Sequence, residues 1–159
     1  MRIHQLSSMD WKRLLEFYES LSLPVAELFR PFGEPSEQVI RGHLSETDIG
    51  KHISFGLVLH DGTVEGHAFV QGIDSERPVF GIGLREHVHG RGWGRRLAET
   101  ILREADNRAL PLVTLTVVKV NTRATALYEK LGFVLKGEHT FRLENDSHYM
   151  EREGPSVGQ

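Results

Sequence analysis

The residues best suited to chemistry form the run His89-Gly90-Arg91-Gly92-Trp93-Gly94. Three glycines alternate with larger residues, and glycine lets backbone N–H groups turn toward a ligand with no Cβ in the way. The run sits where a strand pattern ends and a helix pattern begins. A helix N-terminus adds unpaired N–H donors and a partial positive charge, and Arg91, Arg95 and Arg96 add full charges. These features describe a phosphate site, most simply one for a pyrophosphate. Two other phosphate patterns fit poorly. A P-loop requires Gly-x-x-x-x-Gly-Lys-Ser/Thr, and nothing here supplies the Lys-Ser/Thr pair. A dinucleotide fingerprint requires Gly-x-Gly-x-x-Gly and an acid about 20 residues on, after the next strand. Counted from Gly90, the last position is Arg95, and the next strand ends at Lys119-Val120-Asn121. His87-Val88-His89 has the spacing of two metal ligands on a strand, but no third ligand is evident nearby, so no metal site is expected.

A second segment, Asn121-Thr122-Arg123-Ala124-Thr125-Ala126-Leu127-Tyr128-Glu129-Lys130-Leu131-Gly132-Phe133, carries Asn-x-x-Ala-x-x-Leu-Tyr-x-x-x-Gly-Phe. With the glycine run ahead of it, the chain resembles the GNAT superfamily of N-acetyltransferases, whose pyrophosphate loop reads Gln/Arg-x-x-Gly-x-Gly/Ala. The resemblance covers about Ile53 to Glu151; the N-terminal third matches only in its order of elements. His89 stands where the family has Gln or Arg, which is a departure.

The resemblance implies an acetyl-CoA-dependent N-acetyltransferase that moves an acetyl group to a primary amine in a ternary complex. The rival is a non-catalytic acyl-CoA-binding or sensing module. The cofactor would lie where the strands around Leu84 and Val117 splay apart. Backbone groups of Leu84 and Arg85 would pair with its pantetheine arm. His89, Gly90, Arg91, Gly92, Trp93, Gly94 and Arg95 would hold the pyrophosphate, and Asn121 the arm. Gly81 and Gly83 suit a bulge or a close approach in that strand, or simple packing. Tyr128 is the implied acid for the departing thiolate, since a phenol in hydrogen-bond reach can protonate or stabilise it. An amine with a pKa of about 10.4 must also lose a proton to attack. Many relatives use a Glu in the central strands, but Val79–Leu84 has no carboxylate, and Thr116 stands where some place one. Glu65, His67, Glu86, His87 or a water chain remain for that task. Acceptor choice is expected from Phe29–Gly50 and Glu144-Asn145-Asp146-Ser147. The acids Glu46, Asp48, Glu144 and Asp146 are candidate attractors for a cationic amine, or ordinary surface. Phe29 and Phe32 either line an acceptor pocket or cap the core.

The elements that must position these residues can be read in order. Arg2–Leu6 alternates like a short strand. Ser7-Ser8-Met9-Asp10 reads as a capping box ahead of a helix with Trp11, Leu14, Leu15, Tyr18 and Leu21 on one face. Pro24, Pro31, Gly33 and Pro35 break the next segment, and a second helix is expected from about Ser36 to Leu44. Ile53–His60 and Thr63–Gly72 are strands joined by the turn signal Asp61-Gly62, and Pro78–Arg85 is a third. Trp93, Leu97, Ile101, Leu102 and Ala105 mark an amphipathic helix. Leu112–Val120 is a buried strand by its β-branched content. Ala124, Leu127, Tyr128 and Leu131 mark a last helix, stopped at Gly132. Phe133–Leu143 and Ser147–Arg152 close the pattern.

The fold class is therefore α/β, an α+β layered domain. It has a mixed, mostly antiparallel sheet of about seven strands flanked by about four helices and splayed at the cofactor cleft. One domain spans 1–152, with 153–159 a mobile tail. The 159 residues suffice for one core, and a formal net charge of −3 gives no case for general nucleic-acid or anionic-membrane binding. The absence of cysteine removes disulfides and an acyl-cysteine intermediate. With no signal-peptide pattern and no run near 18 apolar residues, the chain is expected to be cytoplasmic; a homodimer is left open.

Overall fold

A computed structural model describes residues 1–29, 31–142 and 145–155. The chain opens with β1 (Arg2–Gln5) and a 3₁₀ turn at Ser8–Asp10. The capping box is present there, with Ser7 N–H donating to Asp10 Oδ2 at 2.9 Å and Met9 N–H reaching Ser7 Oγ at 3.4 Å. It launches α1 (Trp11–Glu19). A short helix, α2 (Leu23–Leu28), follows where the prolines predicted irregular chain. Pro24 lies in its first turn, where a missing N–H costs no intrahelical bond. With α3 (Glu37–Asp48), α4 (Trp93–Asn107) and α5 (Thr122–Lys130) the helices number five among the described residues, one more than expected.

The seven strands form one sheet in the order β1-β2-β3-β4-β5-β7-β6. They are β1, β2 (His52–Val58), β3 (Val64–Gln71), β4 (Val79–Leu84), β5 (Leu112–Val118), β6 (Val134–Arg142) and β7 (Asn145–Glu153). Every pairing is antiparallel except β4 with β5. The Asp61-Gly62 signal holds: Gly62 takes φ +88°, and Asp61 Oδ1 accepts from Thr63 N–H at 2.9 Å. β7 runs on to Glu153, and Gly154 N–H donates to Pro111 O at 2.9 Å, so the ordered sheet reaches slightly into the expected tail.

β3 is buried on both faces because α4 covers one side and α1 the other. The α4 side is aliphatic, with Ala68 and Val70 meeting Leu97, Ile101 and Leu102. The α1 side is aromatic and polar. Tyr18, Phe29, Phe32 and Phe69 pack around His67, whose Nδ1 lies 2.6 Å from Tyr18 Oη and whose Nε2 lies 2.6 Å from Ser54 Oγ. His43 Nε2 continues the chain to Ser54 Oγ at 3.4 Å. Burial, and then the neighbouring His43, holds His67 well below its ordinary pKa. Burial and then His52 lower His43 to about 3. No helix among the described residues is long and apolar enough to cross a membrane.

Candidate active site

The sheet opens between β4 and β5. Their one register pair is Val79 with Thr114, and both Thr114 N–H, at 2.8 Å, and Thr114 Oγ1, at 3.0 Å, donate to Pro78 O. Past that fork the two strands share no further pair, as expected for strands splayed around Leu84 and Val117. Alternate residues of an antiparallel strand turn their backbone groups to opposite neighbours. Arg85 N–H donates to Glu65 O at 3.0 Å, toward β3; Leu84 and Ile82 consequently turn to the gap. The two expected cofactor contacts separate here. Leu84 faces the opening, whereas both backbone groups of Arg85 are used internally, its carbonyl accepting from Val88 N–H at 3.0 Å.

Gly81 and Gly83 form no bulge, because the β3–β4 register is unbroken from Val79 to Leu84. They make room for rings instead: a Cβ on Gly83 would collide with Phe29 and one on Gly81 with Phe69. That close approach fixes the aromatic layer against β4.

Beyond β4 the chain makes a 3₁₀ turn, Glu86–Val88, anchored by buried Val88. Gly90 and Gly92 then take φ of +78° and +82°, left-handed conformations that side-chain-bearing residues disfavour. Gly92 is the N-cap of α4, with no side chain capping the helix. Apart from its chain neighbours, no atom lies within 4 Å of where its Cβ would stand, so the space beside Gly92 at the start of α4 is open. Arg91 is exposed beside it. Arg95 leans along the helix to Glu99, Nε to Oε1 2.7 Å, and Arg96 covers the Trp93 ring at 4.2 Å. His89 Nε2 donates to Leu84 O at 3.0 Å, so the gap-facing carbonyl of Leu84 is already bonded by this side chain. Arg123 is a neighbour the sequence reading did not single out. Its Nη2 lies 3.7 Å from the Cβ position of Gly90, which brings a further cation from the start of α5 to the loop. Its position two residues after Asn121 was the available signal.

Tyr128 lies on α5 with its ring edge-on to Phe80 at 5.9 Å and to Phe133 at 6.0 Å, which sets it beside the β4–β5 fork. Burial pushes its hydroxyl up to about 12, so the phenol stays protonated at neutral pH. Asn121 Oδ1 caps α5 by accepting from Ala124 N–H at 3.2 Å, and its amide NH₂ has no bond among the described residues.

Of the candidate proton acceptors, Glu65, Glu86 and His87 are brought together and His67 is not; it belongs to the buried layer under Tyr18. A cavity of about 450 Å³ is lined by Ser20 and Ser22 from the α1–α2 turn and by Arg85, Glu86 and His87. Glu65 stands behind it on β3, its Oε2 3.0 Å from His87 Nε2 and 3.9 Å from Arg85 Nε. Thr116 is exposed on β5, opposite Tyr149. His87 and His89 diverge around buried Val88, and no group of three potential ligands occurs among the described residues. Two of the four expected acceptor-side acids have structural partners: Glu46 pairs with Lys51 at 3.6 Å, and Asp48 Oδ1 accepts from Ser8 N–H at 3.1 Å. Glu144 and the side chain of Asp146 lie outside the described residues. Phe29 and Phe32 belong to the aromatic layer around Tyr18.

Comparison with known proteins bears on the family and the fold. An uncharacterized N-acetyltransferase of Mycobacterium tuberculosis is 35% identical over 92 residues, covering 55% of this chain and 59% of the relative. The [ribosomal protein bS18]-alanine N-acetyltransferase of Escherichia coli is 31% identical over 83 residues, 52% of this chain and 55% of the relative. The matches thus span little more than half the length of these relatives. In fold, the ribosomal-protein-S5-alanine acetyltransferase of Vibrio fischeri superposes with a TM-score of 0.81 at 16% identity, over 99% of this chain and 94% of that one. A Salmonella typhimurium protein solved with its cofactor acetyl-CoA superposes with a TM-score of 0.82 at 15% identity, over 100% and 96%. The model of the acetyltransferase (GNAT) family matches residues 12–133, and the chain belongs to that family.

Proposed function

We propose that the chain is an acetyl-CoA-dependent N-acetyltransferase that moves the acetyl group directly to a primary amine in a ternary complex. The observation that carries this is the open glycine loop at an uncapped helix N-terminus, placed at the end of a strand whose backbone faces a gap. A pyrophosphate fits the loop: Gly92 leaves its approach clear, and the amides of α4 with Arg91 and Arg123 supply donors and charge. An extended pantetheine arm fits the gap as an added strand on Ile82 and Leu84, with the Asn121 amide as a further donor. The names of the relatives, N-acetyltransferases among them, support the same chemistry.

In this reading the amine attacks the thioester carbonyl, the C–N bond forms and the C–S bond breaks. Tyr128 donates its phenolic proton to the departing thiolate. The phenol is protonated throughout the neutral range, so a donor to the thiolate is in place when the C–S bond breaks. A panel of amines incubated with acetyl-CoA tests the reading by thiol release and by the mass of the product. A gain of one acetyl group on an amine is the expected result. Tight acetyl-CoA binding with no thiol release from any amine would leave the chain a binding module, and the enzyme reading would fall.

A further inference from the structure

The proposed reaction needs a group to take the proton that the acceptor nitrogen sheds as it bonds to carbon, and neither β4 nor β5 carries a carboxylate at the fork. The next strand, β7, does. We infer that Tyr149, hydrogen-bonded to Glu151 on that strand, takes this proton and passes its own to the carboxylate. This rests on the transferase reading and adds the face of the sheet from which the amine comes.

Register places the pair at the fork. Glu151 is opposite Thr114, which closes the fork through Val79 and Pro78, and Tyr149 is opposite Thr116, two residues further along β5. β7 stays paired with β5 from Leu112 to Val118, so both residues stand one strand spacing, about 4.8 Å, behind the edge that β5 turns to the gap. Tyr128 is at the same level, because its ring meets Phe80, the residue after Val79. The two tyrosines lie on opposite faces. Val113, Leu115, Val117 and Met150 join Tyr128 in the core under α4, and side chains alternate along a strand, so Thr116, Tyr149 and Glu151 face the other way. That face is open at the fork, where Thr116 is exposed and Val79 is 43% exposed. The four side chains weighed from the sequence lie elsewhere: Glu65, Glu86 and His87 at the far end of β4, and His67 enclosed in the aromatic layer.

The Tyr149 hydroxyl has one hydrogen to give and two lone pairs to accept with. It donates to Glu151 Oε2 at 2.7 Å and accepts from Arg77 Nη1 at 2.9 Å, which leaves one lone pair for an N–H of the acceptor. Arg77 precedes Pro78, whose carbonyl closes the fork, so its bond spans β5 and ties the phenol to the β4 side. Partial burial and then the bond to Glu151 hold the phenol above its ordinary pKa, so its proton is in place at neutral pH. A tetrahedral carbon carries the entering nitrogen and the departing sulfur on separate bonds, so base and acid can act from opposite faces. The amine enters in its neutral form and the C–N bond forms. The surplus proton on nitrogen moves to Tyr149 Oη as the phenolic proton moves to Glu151 Oε2. The C–S bond breaks as Tyr128 protonates the sulfur. Glu151 then returns a proton to solvent and Tyr128 regains one, leaving an N-acetylated amine and free thiol.

The test uses the best acceptor of the amine panel and an analogue made less basic by fluorine on the neighbouring carbon. Tyr149→Phe keeps the ring and Glu151→Gln keeps the shape, and thermal midpoints check that both fold. Each is expected to lower kcat about 100-fold with the parent amine and to leave the KM for acetyl-CoA within twofold. With the fluorinated analogue the loss should shrink below about tenfold, because a weakly basic nitrogen forms a more acidic cation that sheds its proton to water unaided. Side chains that only braced the fork would slow both acceptors equally. An unchanged kcat in either variant, or equal losses with the two acceptors, would overturn the assignment and leave the transferase reading intact. No thiol release by the unmodified chain with any amine would overturn both.

Discussion

The glycine loop and the cavity under the α1–α2 turn lie at the same end of β4, joined by residues Arg85 to His89. They are built differently. The loop presents backbone: left-handed Gly90 and Gly92, the amides of α4 and the gap-facing edge of Leu84. The cavity presents side chains from two places in the chain, Ser20 and Ser22 and Arg85 to His87, with Glu65 of β3 behind His87. Backbone groups bind any ligand carrying the common donor's phosphates and amides. Side chains from distant segments can change one at a time without disturbing that site. The proposed donor site thus rests on backbone, whereas the cavity beside it is lined by side chains.

The strongest way to sharpen that contrast is to remove the one side-chain reagent assigned to the donor half. Tyr128→Phe is expected to lower the chemical step about 100-fold or more and leave acetyl-CoA affinity largely intact. Because the Tyr128 hydroxyl is pushed up to about 12, the loss should be uniform from pH 7 to 10; only near pH 12 does the phenol ionise and the acid disappear. Unchanged turnover in a chemistry-limited assay would reduce Tyr128 to a core residue between Phe80 and Phe133.

The α1 side of the sheet carries the buried imidazoles. His67 and His43 are neutral in the fold because burial depresses their pKa values. On unfolding they take up protons below about pH 6.5. Their contribution to stability is therefore complete above that pH and is lost as pH falls from 6.5 toward about 3, where folded His43 itself titrates. Each histidine is expected to remove about 1.4 kcal/mol per pH unit over that range. Thermal midpoints from pH 7 to 4.5 measure it, with His67→Gln as the control; equal acid sensitivity in that variant would assign the loss to other groups.

The difference between the halves also explains what the sequence revealed. The loop, Leu84, Asn121 and Tyr128 could be proposed from the sequence because the motifs that suggest them are local. Strand order and the α4 and α5 helices were legible from periodicity for the same reason. Helix α2 was not, since Pro24 was weighed as a breaker although a first-turn proline is tolerated. Arg85 was placed on the wrong side because backbone direction alternates with a register that only β3 sets. Glu65 and His87 stood among four candidates for one task. Their 3.0 Å approach depends on the pairing of β3 with β4, a tertiary fact with no spacing signal.

A smaller effect tests the backbone character of the loop. Gly92→Val places a side chain in the open space before α4 and forces a β-branched residue to φ +82°. Weakening of acetyl-CoA binding by about tenfold is expected, equivalent to about 1.4 kcal/mol, with little change in kcat at saturation. Unaltered affinity would show that the pyrophosphate does not approach this backbone.

Asn121 gives the finest probe because one side chain serves two purposes that can be separated by atom. Its Oδ1 caps α5 and its NH₂ is the proposed donor to the cofactor arm. Asn121→Ala removes both, costing about 1 kcal/mol of stability, or about 2–4 °C in thermal midpoint for a domain of this size. Asn121→Asp keeps the cap oxygen and removes only the donor, so its midpoint should stay near that of the unmodified chain. Its KM for acetyl-CoA should nonetheless rise about fivefold, the equivalent of one hydrogen bond worth about 1 kcal/mol. An aspartate variant with both midpoint and KM unchanged would make Asn121 a cap alone. The proposed donor site would then rest entirely on backbone and arginine, and its contrast with the side-chain-lined cavity under the α1–α2 turn would become sharper.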